Sequence, residues 1–255
     1  MTAFNHQHHR WVYVWVPWAG AFVWCAMLVA MIAVYYAEGA NPYSWQTSRV
    51  PYISDIGASF LQPLFIAGST ITAVCSVAVL IIERLLWPTG MLDAGLRRRE
   101  KLFSNLAIFG SVVSGLGLIL LSCFNDHFFS PEHYSFLGVF LFGVILSSIV
   151  ITIKYRWLSH SCPDRRLRMA YFIKATITTV LIILAIVYAA CYGTASNVAG
   201  ILEWVLAFGF TFYLLSFAYD LRLLNNGEAS DSDLPSGIEK LEADESSSGL
   251  TIQHA

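Results

Sequence analysis

The sequence predicts an all-α polytopic membrane protein, a bundle of six transmembrane helices with both termini in the cytoplasm (N-in/C-in). Three observations predict it. The 255-residue chain is 56% hydrophobic and only 13% charged, with a mean hydropathy of +0.60, whereas ordinary soluble domains carry about 25% charged residues. Its apolar residues gather into runs near the ~20 residues that a helix needs to cross ~30 Å of hydrocarbon. All of its Lys and Arg residues except Arg49 fall on one side of the resulting frame, the side that basic loops keep in the cytoplasm. This composition excludes a disordered chain and a disulfide-rich secreted domain, and a net charge of −2 excludes a nucleic-acid partner.

The elements follow in order. Residues 1–11 form a cytoplasmic N-terminus, and the six-span domain occupies 12–222. Span one, Val12–Tyr36, is too long for the apolar core of a signal peptide. Pro17 lies near its start, where a missing N–H costs little, and Trp11, Tyr13, Trp15 and Trp18 suit headgroup depth at its inner end. Outer loop 37–60 mixes polar, aromatic and turn residues, as an ordered lid would. Its Arg49 is the single base among the outward acids Glu38, Asp55, Asp126, Glu132 and Glu203, so an ion pair with Asp55 is expected.

Span two, Leu61–Ile82, and span three, Leu102–Phe124, carry small residues four apart: Gly68 with Thr72, Ser69 with Ala73, Gly110 with Ser114 and Ser111 with Gly115. Such pairs let helix backbones approach closely, inside one bundle and, secondarily, in a homo-oligomer. Between these spans lies the inner basic cluster of Arg97, Arg98, Arg99 and Lys101. Outer loop three, NDHFFSPEHY, gathers Asp126, His127, Glu132 and His133. It shows neither metal-ligand spacing nor a nucleophile with a positioned base, so neither catalytic residue, metal nor cofactor is expected there.

Span four is Phe136–Leu158. Inner loop four supplies Arg165, Arg166 and Arg168, and spans five and six are Tyr171–Tyr192 and Ile201–Tyr219. The span interiors read as free of ionisable residues, with Glu83, Lys174, Glu203 and Asp220 near enough to span ends to reach water. That pattern disfavours an ion-coupled transporter. Residues 223–255 hold seven acids against one Lys and read as a disordered acidic cytoplasmic tail. Cys25, Cys75, Cys123 and Cys191 read as small core residues, with a Cys123–Cys191 bond as the alternative, and Cys162 in its basic loop is a palmitoylation candidate.

The outer run Ser48–Phe60, SRVPYISDIGASF, resembles the PYISD-G signature of the family that groups the DRAM autophagy modulators, the yeast suppressor of FK506 sensitivity and the FGF-receptor-activating/post-GPI-attachment proteins. The matching residues are Pro51, Tyr52, Ile53, Ser54, Asp55 and Gly57. His133, then Glu203 with Trp204, then the aromatic run ending at Asp220 are similar to further family features, so the resemblance extends to about Leu224. The surrounding sequence resembles the fungal branch most. One departure is Phe124-Asn125-Asp126, where family members often show Phe-Asp: either a neutral Asn125 occupies the aspartate position or Asp126 serves instead.

The resemblance implies a non-enzymatic membrane regulator or scaffold, linked to phosphatidylinositol 4-kinase and lipid organisation at the plasma membrane. Its other branches imply an autophagy modulator of the lysosome or vacuole, or a GPI-anchor lipid-remodelling factor. The expected partners are anionic phospholipids, phosphoinositides among them, held by the inner arginines at about 1 kcal/mol per base, together with a cytoplasmic or membrane protein. On the outer face, Asp126, His133, Glu203 and Trp204 are the expected partners of the signature loop.

Overall fold

A computed structural model describes residues 4–86, 94–161 and 165–232, with side chains over 13–86, 98–161 and 165–222. The described residues form seven helices and no strand: α1 (Phe4–Ala37), α2 (Ile53–Gly57), α3 (Gln62–Leu86), α4 (Ala94–Cys123), α5 (Ser130–Ser161), α6 (Arg165–Cys191) and α7 (Ser196–Ser232). All but the short α2 contain stretches long and apolar enough to cross a membrane, 6 in number as the sequence predicts. Two boundaries differ. Pro17 lies inside α1, because the helix begins at Phe4. α7 runs to Ser232, so the expected start of the tail at Leu223 falls within a helix; residues 233–255 and Cys162 lie outside the described residues.

Closest approach occurs where side chains are smallest. Gly110 and Gly143 face each other across α4 and α5: a Cβ on Gly110 would meet the Ser147 backbone N at 2.9 Å, and one on Gly143 would run into the backbone of Ser114 and Gly110. The Ser147 hydroxyl donates across this seam to the Ala107 carbonyl at 3.0 Å. Gly115 rests on Ala73 of α3, and Gly68 of α3 lies under Met27 of α1. The small-residue stripes of spans two and three therefore pack within the bundle. Their partner stripe on α5, Gly143 with Ser147, is the matching surface. α1 closes onto α7 through the Trp24 indole, whose Nε1 donates to the Ala207 carbonyl at 2.8 Å.

The expectation that the charges near span ends reach water is overturned for Glu83, Lys174 and Asp220. Glu83, Glu100, Lys154, Lys174 and Asp220 are all 4% exposed or less. Lys154 Nζ lies 2.9 Å from Glu83 Oε1 and 3.3 Å from Glu100 Oε1 and donates to Ser104 at 2.8 Å, while the Tyr155 hydroxyl donates to Glu83 at 3.0 Å. Lys174 Nζ meets Asp220 Oδ2 at 2.6 Å and lies 3.6 Å from the centre of the Phe217 ring. The physical reason is helix length. α5 extends to Ser161 and α6 begins at Arg165, so Lys154 and Lys174 lie well inside their helices. At 1.5 Å per residue Lys174 is about 14 Å from the start of α6, it is 1% exposed, and the buried charges pair with one another.

The cysteines are corrected in one respect only. Cys25, Cys75, Cys123 and Cys191 are all free thiols, with no bond between Cys123 and Cys191, and Cys123 is exposed where a core position was expected.

Candidate functional site at the lid end

The loop between α1 and α3 folds back over the bundle as a lid, and α2 is its centre. The Pro-Tyr-Ile-Ser-Asp sequence makes this turn possible. Tyr52 sits extended at the N-cap, and Asp55, three residues on, reaches back so that its Oδ2 accepts the Tyr52 N–H at 2.8 Å. This is the reciprocal half of a capping box, with the carboxylate at the favourable end of the helix dipole. Ile53, Ser54, Asp55, Ile56 and Gly57 are all buried. Gly57 is there for space: a Cβ would come within 2.6 Å of the Phe65 ring.

α7 clasps the lid from the other side. The Trp204 indole donates to the Pro51 carbonyl at 2.9 Å, Glu203 Oε2 accepts the Ile53 N–H at 2.8 Å, and the Tyr52 hydroxyl donates to the Ser196 carbonyl at 3.1 Å. Each of these satisfies a polar group that would otherwise be buried unpaired. The Trp45 indole adds a bond to the Asp55 carbonyl at 3.2 Å.

The expected Arg49–Asp55 ion pair does not form. Asp55 is 2% exposed and turned inward to its own helix end, whereas Arg49 is exposed and uses its backbone N–H, which donates to Asn197 Oδ1 at 2.7 Å. His133 also has a local role: buried at the start of α5, its Nδ1 pairs with the Phe124 carbonyl at 2.8 Å, closing the end of α4. Asn125 takes a similar part, accepting the Phe128 N–H at 3.0 Å.

Between the lid, the α4–α5 loop and the α6–α7 turn lies a cavity of about 250 Å³, lined by Trp45, Tyr52, Asp55, Asp126, Tyr134 and Tyr192 among others. Asp126 Oδ2 accepts from the Tyr134 hydroxyl at 3.0 Å, and its Oδ1 is buried with no hydrogen-bond partner. Burial pushes the Asp55 carboxyl up to about 6, opposed by the Tyr52 N–H and reinforced by the negative charge of Asp126. Burial likewise raises the Tyr52 phenol to about 12, with Glu203 adding to the effect. Sequence reading missed Trp45, Tyr134, Tyr192 and Asn197. The aromatic residues flanking Asp126 and the PYISD run were visible, but only the fold shows that they converge.

The opposite end of the bundle carries the bases. Arg98, Arg99 and Lys101 on α4 and Arg165, Arg166 and Arg168 on α6 are exposed, with the Arg99 guanidinium 5.8 Å from the centre of the Trp157 ring on α5. The Arg97 side chain lies outside the described residues.

Comparison with known proteins agrees with the lid signature. The chain is 25% identical over 285 residues to Protein SFK1 of Saccharomyces cerevisiae, covering 84% of this chain and 79% of that protein. No solved structure matches. The Frag1/DRAM/Sfk1/Cwh43P N-terminal domain matches residues 12–224, which takes in the apolar stretches of all six long helices and the lid, and the chain is therefore a member of the Frag1/DRAM/Sfk1 family.

Proposed function

We propose that this protein is a non-enzymatic membrane regulator at the plasma membrane. Its basic end faces the cytoplasm and gathers anionic phospholipids, phosphoinositides among them, in support of phosphatidylinositol 4-kinase signalling and lipid organisation. The observation that carries this reading is the pair of exposed basic clusters, Arg98 to Lys101 and Arg165 to Arg168, brought to one end of the bundle by the antiparallel run of α4, α5 and α6. Each base near an anionic leaflet contributes about 1 kcal/mol, and their placement opposite the lid agrees with both termini being cytoplasmic. The similarity to SFK1 supports the same reading.

The test is lipid retention by the purified full chain in nanodiscs. Replacing Arg97, Arg98 and Arg99 with Ala removes about 3 kcal/mol at about 1 kcal/mol per base and should lower phosphoinositide enrichment about a hundredfold while the helical fold survives. Unchanged enrichment would mean that these arginines only set topology. A second reading, remodelling of GPI-anchor lipids, is favoured by one observation, the buried acids of the lid-end cavity. Altered lipid moieties on GPI-anchored proteins of a deletion strain would support it, and unaltered ones would remove it.

A further inference from the structure

A second cavity, of about 100 Å³, lies inside the bundle, with Ile53 of the lid in its lining. Its walls are stripes of helix: Leu181, Ala185 and Tyr188 on α6 and Glu203, Ala207 and Phe210 on α7 follow one another at four and three residues, the spacing of one helix face. The cavity therefore runs along the helices, and the stretch from Glu203 to Phe210 covers about 10 Å. Small cavities with apolar walls stay dry and take apolar molecules.

The unpaired polarity of this cavity gathers at its lid end. Glu203 Oε2 accepts the Ile53 N–H at 2.8 Å, and Oε1 has no hydrogen bond among the described residues. The Tyr188 hydroxyl has none either, although Tyr188 is only 6% exposed. Neither oxygen is sealed inside the protein as Asp126 Oδ1 is, so each keeps surface toward the space that its residue lines. Glu203 is also the charge that acts most strongly on the Tyr188 phenol, which puts the two groups together. The other polar groups of the lining are already bonded: the Ser148 hydroxyl donates to the Ile145 carbonyl at 3.0 Å and the Trp24 indole to the Ala207 carbonyl at 2.8 Å.

We infer that this cavity binds one alkyl chain that ends in an alcohol, with the hydroxyl at the lid end and the chain lying along α6 and α7 toward Phe210. A hydroxyl has one donor and two acceptor lone pairs. It donates to Glu203 Oε1 and accepts from Tyr188, which satisfies both idle groups, while the chain fills the apolar length. Because Glu203 also holds the Ile53 N–H, the ligand ties the lid to the bundle. This inference is independent of the role of the basic end: loss of phosphoinositide enrichment leaves it standing, and its own failure leaves that role standing.

The test uses the full chain in nanodiscs and a photoreactive 1-decanol with a diazirine at mid-chain, the labelled residues being mapped by peptide mass spectrometry. Label should fall on the cavity stripes of α6 and α7. Unlabelled 1-decanol should displace it at about tenfold lower concentration than decyl methyl ether, which cannot donate, a difference of about one hydrogen bond. Tyr188→Phe should weaken 1-decanol several-fold. Ala185→Leu, which fills the cavity and leaves both polar groups in place, should abolish labelling of the stripes while helical content and Tm stay near wild type, and it serves alone should Tyr188→Phe fail to fold. Competition by 1-monodecanoylglycerol as well as 1-decanol would support a glycerol ester as the source, and competition by 1-decanol alone a free alcohol. Label confined to the lipid-facing Ile183 and Ile186, equal competition by alcohol and ether, or stripe labelling that persists in folded Ala185→Leu overturns the inference.

Discussion

Asp55 shows how much one side chain in the signature does. Its Oδ2 caps α2 by accepting the Tyr52 N–H, and the Glu203 and Asp126 carboxylates and the Tyr43, Tyr52 and Tyr192 phenols are its titratable neighbours. A folded-state value raised from 3.8 to about 6 means that the folded protein holds a proton which the unfolded chain has released. Stability from this group is therefore fully present below about pH 4 and declines as pH rises to about 6. Asp55→Asn keeps an acceptor for the Tyr52 N–H and removes the charge. Thermal unfolding in detergent from pH 4 to 6.5 should show a falling stability for the wild type and a flatter profile for the variant. Parallel profiles would exclude Asp55 as the titrating group. Asp55→Ala instead orphans a buried N–H and should destabilise by about 1–3 kcal/mol at any pH.

At the level of elements, two helix contacts decide whether the bundle forms. The α4–α5 crossing depends on Gly110 and Gly143, whose missing Cβ atoms let the backbones touch. Gly143→Ala pushes a methyl group into the Ser114 backbone and should cost about 1–3 kcal/mol, as overpacking does, measurable as a lowered Tm with reduced folded yield. Gly138, where a Cβ would meet nothing within 4 Å, is the matched control, and Gly138→Ala should be close to neutral. The second contact is the buried charge network. Lys154→Met leaves Glu83 and Glu100 without their shared cation and should destabilise by about 3–5 kcal/mol, since removing one partner strands a buried charge. A Lys154→Met, Glu83→Gln double variant should recover part of that loss, and a double variant no better than the single one would contradict the pairing.

Across the whole molecule, the six long helices, their order and the crowding of bases at one end were legible in the sequence, because apolar run length and loop charge are properties of the chain read linearly. The signature loop was legible as an ordered lid as well, through Pro51 to Gly57. What was not legible required three dimensions. Lys174 read as close enough to a span end to reach water because helix ends are blurred by several residues in the sequence, and only the packing of α5, α6 and α7 buries it with Lys154. Arg49 reads as the natural partner of Asp55 by charge, yet a helix-capping carboxylate is already satisfied by the backbone three residues earlier. The cavity could not be read at all, since Trp45, Asp126 and Tyr192 come from loops far apart in sequence. The two ends thus present different chemistries, acids and aromatics under a lid at one and exposed bases at the other, joined by a bundle whose internal charges are paired.

The central claim is that the basic end links this protein to phosphoinositide signalling. The most direct measurement is the fraction of phosphatidylinositol 4-kinase at the plasma membrane in cells whose own copy of the gene is deleted. These cells would be complemented with the wild-type chain or with the chain carrying Arg97, Arg98 and Arg99 replaced by Ala. The account predicts that the wild type restores kinase residence at the plasma membrane and that the variant, inserted there at equal level, leaves it at the deletion value. Full restoration by the variant would contradict the account.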